Sequence, residues 1–440
     1  MLYYIFEYID GILDVLSVNF IGKGMIATFW FLLFIEFPRY YLTDFLVAIW
    51  HGATFNKRRR KKAEAKHKLY LENPLVTILA PGKNEGNQIY KLVTSLSEQT
   101  YRNFEIIIVD DGSDDATPHI CRDLLKRGYI HKYFRMVERG GKASAANCGI
   151  SHATGKYIVH LDSDSSLDRD AIEKILLPFY MDTRIKAVGG CVKVRNPDDT
   201  LCTSMQALEY LRSIQVGRMV TSRLGIYHII SGAFGAFDAD VLREVGGWDI
   251  GPGLDGDITQ KIRKGGHKVW FAEDAICLTN VPKKWSALFK QRKRWSKSLV
   301  RFRIRKHRDI MWSNKNFSFS NMISNMDNIL FDFIFNYVWV FYIFILVLGN
   351  TDRLIEILIV GFILRSAFSI CAFAVMMCIS ERRREERHLG AFLLLYTFYM
   401  GYFMRLVRLV GHTEELLLRT SYKDSWNPKK TSEIAQIENM

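Results

Sequence analysis

Residues 156–164 read KYIVHLDSD, and this stretch decides the fold class of the chain. A short apolar run with β-branched and aromatic residues, which then turns acidic, predicts a buried strand that ends in a polar turn. Three similar runs precede it, and segments of helical length separate them. This alternation predicts a mostly parallel sheet with helices on both faces, an α/β domain. The predicted strands are 76–79, 104–109, 132–137 and 156–161, and the predicted helices are 86–98, 116–127 and 142–152.

Polar or acidic turns follow three of the predicted strands. Glu85 comes after the first strand, Asp110 and Asp111 close the second, and Asp162 and Asp164 close the fourth. In open α/β sheets, ligands bind beyond the carboxyl ends of the strands. We therefore expect these side chains to line one ligand site.

The pair Asp162 and Asp164 is the strongest candidate for a metal site. Two carboxylates one residue apart at a strand end are able to hold a hard divalent cation, which in turn neutralises a diphosphate. A turn or helix cap built from Asp and Ser explains the same residues without a ligand. Their position after a buried strand, with a second acidic turn upstream, favours the cation.

Four further residues each have two interpretations. A carboxylate at Glu85, Asp110 or Asp111 would accept the imide N–H of a uracil or a ribose hydroxyl, or it belongs to an ordinary loop. Lys142 follows two glycines at a predicted helix start. There it would reach a phosphate together with backbone N–H groups, or it is a solvated surface lysine.

Asp255 and Asp257 precede a predicted helical run that starts at Ile258. A carboxylate placed opposite a leaving diphosphate is able to act as the general base for an attacking hydroxyl. The alternative role is a helix N-cap, and Asp257, directly before the run, is well placed for it. We therefore expect Asp255 to be the base and Asp257 to be a cap or support.

Gln291, Arg294 and Trp295 share one face of a predicted helix, because their spacing is i, i+3 and i+4. That face offers a guanidinium to a diphosphate and an indole on which a sugar ring stacks. We expect Arg292 and Lys293 to point away from it, toward lipid head groups. A basic amphipathic membrane helix also explains this segment, and the two interpretations are compatible.

The composition places the rest of the chain at a membrane. Hydrophobic residues make up 49% of the 440 residues, and they gather in a few segments. The net charge of +14 lies beside these segments, which favours a cytoplasmic soluble domain over nucleic-acid binding. The seven cysteines form no C-x-x-C pair, so neither a zinc site nor a disulfide framework is implied. The apolar segments are 21–50, 329–349, 354–379 and 389–411.

The membrane topology stays open at the C-terminus. We expect residues 1–20 to form a short helix at the membrane surface, and we expect no cleaved signal peptide. Residues 24–50 are long enough to span the membrane, with a kink at Pro38. The link 381–388 is cytoplasmic by its charge, so simple alternation of spans puts the C-terminus outside. The basic tail 419–430 indicates the inside instead.

Together, these motifs resemble the processive family-2 glycosyltransferases. That family includes the synthases of cellulose, mixed-linkage β-glucan, hyaluronan, chitin oligosaccharide and poly-N-acetylglucosamine. The resemblance runs from about 76 to 295, and its most specific element is Q-x-x-R-W, matched by Gln291, Arg294 and Trp295. It implies a GT-A fold, an inverting reaction, a UDP-sugar donor and Mg²⁺ or Mn²⁺. The expected segments are 1–56 (interfacial and transmembrane), 57–283 (cytoplasmic GT-A domain), 284–326 (amphipathic interface helices), 327–412 (transmembrane helices) and 413–440 (tail).

The resemblance also implies a role for each candidate residue. Glu85 and an Asp of the 110/111 pair would hold uridine, and Lys142 and Asp162 would line the donor site. Asp164 would bind the metal, and Asp255 would be the base. The diphosphate and the acceptor terminus would be framed by Gln291, Arg294 and Trp295.

Three features depart from the family pattern. Lys83 stands where an aromatic residue is frequent, and Leu254 replaces an acidic neighbour of Asp255. The link 381–388 lacks the long gating loop of cellulose synthases.

The expected function is processive transfer of glucose from UDP-glucose onto the non-reducing end of a growing β-glucan, coupled to secretion. One alternative is a synthase that uses UDP-N-acetylglucosamine, for poly-N-acetylglucosamine or a hyaluronan-like polymer. A non-processive lipid glycosyltransferase is another, and the Q-x-x-R-W helix argues against it. We expect a multi-pass plasma-membrane protein whose partners are the donor, the polysaccharide, the bilayer and accessory export or regulatory proteins, without nucleic acid.

Overall fold

An eight-stranded sheet forms the centre of the chain in this computed structural model, which describes residues 11, 24–251, 253–314, 317–349, 351–424 and 427–438. The helix predicted over 1–20 lies outside the described residues, apart from Gly11. The strands are β1 (Val76–Gly82), β2 (Phe104–Asp110), β3 (Lys132–Arg135), β4 (Tyr157–Leu161), β5 (Ser166–Leu167), β6 (Ile185–Val194), β7 (Phe234–Asp238) and β8 (Lys268–Thr279).

The strand order is β3-β2-β1-β4-β7-β6-β8-β5. The four strands predicted from the sequence are parallel neighbours, because β1 pairs with β2 and β4 while β2 pairs with β3. The sequence did not predict β5 to β8. Strand β7 runs antiparallel to both β4 and β6, β8 runs parallel to β6, and β5 runs antiparallel to β8. The α/β class is confirmed, with a reversed strand in the middle of the sheet.

Helices lie on both sides of the sheet, and the three predicted ones are present. Short turns of 3₁₀ helix are formed by Arg308–Met311, Thr351–Arg353 and Thr420–Lys423. The longer helices are α1 (Met25–Phe31, continued by Leu32–Leu42 and Thr43–Ala53), α2 (Phe55–Glu72), α3 (Gly86–Ser97), α4 (Thr117–Lys126), α5 (Lys142–His152), α6 (Ala171–Met181), α7 (Leu201–Glu209, continued by Tyr210–Val216 and Gly217–Arg223), α8 (Ala239–Glu244), α9 (Leu254–Lys264), α10 (Trp285–Ser298, continued by Leu299–Lys306), α11 (Phe319–Gly349), α12 (Leu354–Ile379), α13 (Arg383–Leu418) and α14 (Lys429–Ile437).

Side chains of β1 alternate between two hydrophobic clusters, one on each face of the sheet. Ile78 belongs to one cluster and Leu79 to the other, and both are fully buried. Helix α5 lies so close to the sheet that a Cβ atom on Gly149 would be 2.1 Å from Leu79 Cδ1. The small residues of α5 permit this approach, and it fixes Lys142, the first residue of α5, near the carboxyl ends of β1 and β4.

Three helices in the described part of the chain are long and apolar enough to cross a membrane: α11, α12 and α13. Helix α1, the predicted N-terminal span, is not among them. Its apolar run contains the charged residues Glu36, Arg39 and Asp44. Its backbone departs from helical angles at Phe29, and Pro38 lies in a run of wide helical turns over Leu32–Leu42, so the kink at Pro38 stays a prediction.

Buried and partly buried ion pairs attach α1 to the three apolar helices. Glu36 bonds to Arg365 of α12 at 3.3 Å and to Arg405 of α13. Arg39 forms a two-pronged pair with Asp327 of α11, at 2.6 and 2.7 Å. Because α11 already begins at Phe319, the boundary predicted at 327 falls inside one continuous helix.

Candidate active site

The carboxyl ends of β1, β2 and β4 bring the predicted acidic turns to one edge of the sheet. Gly82 is in register with Asp110, and Leu79 is in register with His160, so the residues that follow these strands are neighbours. Asp162 directly follows β4, and its carboxylate is bound by the ammonium group of Lys142 at the start of α5. This contact places the first acid of the D-x-D turn beside the predicted phosphate ligand.

The carboxyl groups around the D-x-D turn differ in the direction in which their pKa values are shifted. Burial opposes ionisation of Asp162, but the nearby Lys142 outweighs it and holds the pKa of Asp162 below its usual value. Burial and the charge of Asp162 raise the pKa of Asp164. Burial and the charges of Asp164 and Asp162 raise the pKa of Glu85 to about 7. The edge of the sheet therefore carries three mutually repelling carboxyl groups with one ammonium among them.

Asp110 and Asp111 are both buried and bonded to the protein itself. Asp110 accepts hydrogen bonds from the Ser113 N–H at 2.8 Å and the Tyr133 hydroxyl at 3.0 Å. Asp111 accepts the backbone N–H groups of Gly140 and Gly141 at 2.8 to 3.1 Å. These contacts agree with the loop interpretation that the sequence left open. They also show that Asp111 holds the glycine turn that leads into Lys142.

Asp255 lies in the first turn of α9, beside the same cluster. The helix begins at Leu254, and Gly253, with φ 88°, precedes it. The Asp255 carboxylate accepts a hydrogen bond from the Gly232 backbone, and burial raises its pKa. The charges of Asp162, Asp255 and Asp164 all act on Lys142 and together raise its pKa, although burial alone would lower it.

Asp257 is not the N-cap that the sequence predicted, because α9 starts three residues before it. Its side chain is buried and bonds to His307 Nε2 at 2.7 Å and to Lys306 Nζ at 2.8 Å. Burial opposes its ionisation, but the His307 hydrogen bond and the Lys306 charge lower the pKa of Asp257 to about 2. Asp257 therefore supports the site by joining α9 to the end of α10.

The predicted Gln291, Arg294 and Trp295 lie on α10. Burial lowers the pKa of the Arg294 guanidinium, and the carboxylates of Asp424, Asp162 and Asp255 oppose that shift. Arg294 is thus within electrostatic reach of both the D-x-D turn and the predicted base. Trp295 is 43% exposed. The residues predicted as metal ligand, phosphate ligands and base come from segments far apart in sequence, and the structure brings them within electrostatic reach of one another.

The two residues expected to face lipid do not. Arg292 is buried against Glu209, at 2.9 Å, and Lys293 is paired with Glu414 of α13, also at 2.9 Å. The prediction was wrong because it considered one helix alone, whereas α7 and α13 pack against α10 on the side assigned to the bilayer.

The C-terminal tail is a part of the site that sequence reasoning missed. The Thr431 hydroxyl of α14 donates to the Gly140 carbonyl at 3.1 Å, and Ala435 is fully buried. Asp424 supplies the first of the carboxylate charges that act on Arg294. In the sequence this segment is basic and weakly apolar, a pattern that predicts a C-terminal tail but no contact with the site.

An α/β sheet with an acidic D-x-D edge, a lysine at a helix start and a further buried carboxylate nearby is typical of the GT-A fold. Comparison with known proteins agrees: residues 77–246 match the model of glycosyl transferase family 2. This part of the chain is therefore similar to the family-2 glycosyltransferases, and it includes strands β1 to β4 with their acidic turns.

Two curated relatives and one solved structure illustrate the likeness. Poly-beta-1,6-N-acetyl-D-glucosamine synthases of Staphylococcus epidermidis and Staphylococcus aureus (strain MSSA476) are 31% and 30% identical over 222 residues, which are 50% of this chain and 53% of theirs. The chain therefore spans about half the length of these relatives. A mannosyltransferase from Pyrobaculum calidifontis, solved with GDP-Man and Mn²⁺, superposes with a TM-score of 0.54 at 22% identity, over 85% of this chain and 99% of that one. This superposition supports the fold.

Proposed function

We propose that this chain is an inverting, processive synthase that transfers N-acetylglucosamine from UDP-N-acetylglucosamine to the non-reducing end of a growing polysaccharide. The observation that carries the proposal is the convergence of Asp162, Asp255 and Arg294 on Lys142 and its surroundings. Donor-phosphate ligands and a base are the minimum for inverting transfer, and the candidates for both roles lie within electrostatic reach of one another.

The choice of donor sugar follows the relatives. The curated proteins that this chain resembles are named as synthases of a β-1,6-linked N-acetylglucosamine polymer. No comparison supports UDP-glucose, which the sequence led us to expect, so the alternative of an N-acetylglucosamine polymer becomes the main proposal. The linkage is proposed on the same basis.

The acidic edge of the sheet fits a divalent cation that is shared with a diphosphate. Among the described residues, no group of three or more His, Cys, Asp and Glu side chains surrounds a metal position. Mg²⁺ sites of transferases use one or two carboxylates plus phosphate oxygens, so Asp164, with Asp162 beside it, suffices. Mg²⁺ or Mn²⁺ bound there would neutralise diphosphate charge and would relieve the repulsion among Glu85, Asp162 and Asp164.

The protein's own groups then perform the transfer. Asp255 takes the proton of an acceptor hydroxyl, whose oxygen attacks the anomeric carbon of the donor sugar. The bond from that carbon to the diphosphate oxygen breaks, and the electron pair leaves with UDP. Lys142 and Arg294 stabilise the negative charge that develops on the leaving diphosphate.

The remaining candidates form the two ends of the cleft. Glu85 lies at the nucleoside end, and Asp110 and Asp111 shape the loops beneath it. Gln291 and the exposed Trp295 lie at the acceptor end, where an indole offers a stacking surface for a sugar ring.

Export through the chain's own helices completes the proposal. The three apolar helices α11, α12 and α13 pack directly against the catalytic domain and α10. We place the protein in the plasma membrane as a multi-pass protein with its catalytic domain in the cytoplasm, by the charge of 57–62.

The deciding experiment incubates the purified full chain with each UDP-sugar separately, with Mg²⁺ or Mn²⁺. UDP release, product length and digestion with linkage-specific hydrolases are measured. We expect UDP release and a hydrolase-sensitive polymer with UDP-N-acetylglucosamine. A polymer formed from UDP-glucose alone would contradict the proposed donor. A lipid product that carries a single sugar would contradict the proposed processive reaction.

A further inference from the structure

Arg292 is the most buried basic residue of the Q-x-x-R-W segment. Its side chain is 2% exposed and forms a two-pronged ion pair with Glu209 of α7. Arg292 Nε lies 2.9 Å from Glu209 Oε1, and Nη2 lies 3.0 Å from Oε2. A guanidinium and a carboxylate matched in this way fix both position and orientation of the arginine.

The same guanidinium contacts two of the three residues proposed to meet the substrates. Arg292 Nη1 donates to Gln291 Oε1 at 2.6 Å. The guanidinium carbon of Arg292 lies 4.2 Å from the ring centroid of Trp295, within the range of a cation–π contact. Arg292 therefore packs against both Gln291 and Trp295.

A membrane-spanning helix completes this network. The hydroxyl of Tyr399, in α13, donates to Glu209 Oε2 at 2.5 Å. The chain Tyr399–Glu209–Arg292 thus links a candidate span, a helix of the catalytic domain and the Q-x-x-R-W helix. Every member is buried, so each hydrogen bond is protected from exchange with water.

We infer that Arg292 is a positioning residue for the transfer step, and that Glu209 and Tyr399 hold it in place. The guanidinium fixes the indole of Trp295 and the amide of Gln291 at the angle at which the acceptor terminus meets them. This inference rests on the proposed function, because it concerns the same acceptor end of the cleft. It predicts an effect on transfer that is larger than the effect on donor binding.

The test uses the full chain in lipid nanodiscs and two conservative variants, Arg292→Lys and Tyr399→Phe. Arg292→Lys keeps the positive charge but cannot form the two-pronged pair, and Tyr399→Phe removes only one hydroxyl. Lys293→Gln, which breaks the more exposed pair with Glu414, is the matched control. Thermal unfolding confirms that each variant is folded.

The first measurement is independent of any donor. Acrylamide quenching of Trp295 is obtained as the difference between each protein and the same protein with Trp295→Phe. We expect quenching of Trp295 to increase about twofold in Arg292→Lys, because one face of the indole loses its cover. An unchanged value in Arg292→Lys and Tyr399→Phe would overturn the inference, even if the wild type proves inactive with every UDP-sugar and the proposed function fails.

The second measurement compares polymer formation with donor hydrolysis. We expect Arg292→Lys to lower the kcat of polymer formation about tenfold or more, since small displacements of positioning groups are costly, while the KM for the donor and hydrolysis to free sugar change little. Tyr399→Phe should show a smaller loss of the same kind, and Lys293→Gln none. Equal loss of hydrolysis and polymer formation would show a merely structural role and overturn the inference.

Discussion

Asp111 accepts hydrogen bonds from the Gly141 N–H through both of its carboxylate oxygens, at 3.1 and 3.0 Å. Gly141 has φ 88°, a conformation that suits glycine, and it directly precedes Lys142. The carboxylate therefore sets the start of α5 and the position of the ammonium group at the D-x-D turn.

Asp111→Asn should weaken donor binding more than it slows transfer. The amide N–H₂ that replaces one carboxylate oxygen is a donor and faces the Gly141 N–H, which now bonds to a single neutral oxygen shared with Gly140, so the buried turn loses about 1–3 kcal/mol. We expect the KM for the donor to rise about tenfold with a nearly unchanged kcat, measured by UDP release. Asp114→Asn is the control in the same loop, because the Asp114 side chain is 75% exposed. An unchanged KM in Asp111→Asn would contradict this role.

The Asp111 contact also shows how far the sequence predicts the site. Strand ends are predictable because apolar runs stop at acidic turns. The sequence therefore predicted that Asp110, Asp111 and Asp162 lie at one edge of the sheet. Whether such a carboxylate faces a ligand or the protein's own backbone depends on a distant turn, here Gly140 and Gly141, and local sequence does not contain that information.

The second half of the sheet was less predictable for a physical reason. Strand β6 contains Gly189 and Gly190, which admit Tyr227 and Phe234 at distances no side chain would allow. Adjacent glycines interrupt the regular alternation by which a strand is recognised in a sequence. The formation of such a strand depends instead on packing against residues that are remote in sequence. The buried role of Arg292 was missed for the same reason, since its ion-pair partner Glu209 comes from α7.

Asp164→Ala should abolish metal-dependent UDP release. The remaining Asp162 carboxylate is already bound to Lys142, so it is a poor sole ligand for a cation. We expect loss of Mn²⁺-stimulated UDP release and of the thermal stabilisation that Mn²⁺ with UDP confers on the wild type. Asp170→Ala is the control, because Asp170 forms only a partly exposed helix pair with Lys174. Normal Mn²⁺ stimulation in Asp164→Ala would remove this residue as the metal ligand.

The raised pKa of Glu85 predicts that the stability of the metal-free protein depends on pH. Its pKa in the folded state is about 7, above the ordinary value of 4.5. Between these values the folded state holds a proton that the unfolded state has released, so this group's stabilising contribution is complete below pH 4.5 and is lost as pH rises through 7. Glu85→Gln should flatten this fall in the metal-free thermal midpoint between about pH 5 and pH 8.

The surface residue Glu98 supplies the control for that measurement, because its side chain is 52% exposed and pairs loosely with Arg169 at 3.4 Å. Glu98→Gln should follow the wild-type curve. Adding Mn²⁺ should reduce the fall in the wild type, since a cation offsets the repulsion among the three carboxylates. Identical pH curves for wild type and Glu85→Gln would show that Glu85 does not sense Asp162 and Asp164.

Asp255→Asn should separate donor binding from chemistry. The amide oxygen is still able to accept the Gly232 N–H, so the first turn of α9 keeps its geometry, but the amide does not take a proton. General-base catalysis contributes about 10²–10⁴-fold, and we expect a loss of polymer formation in that range with UDP binding unchanged by calorimetry. Because burial raises the pKa of Asp255, the wild-type rate should fall at low pH as this carboxylate takes up a proton. Asp240→Asn, at a side chain that is 96% exposed, is the control. Wild-type polymer yield from Asp255→Asn would remove it as the base, and the search would then move to the other carboxylates that act on Lys142.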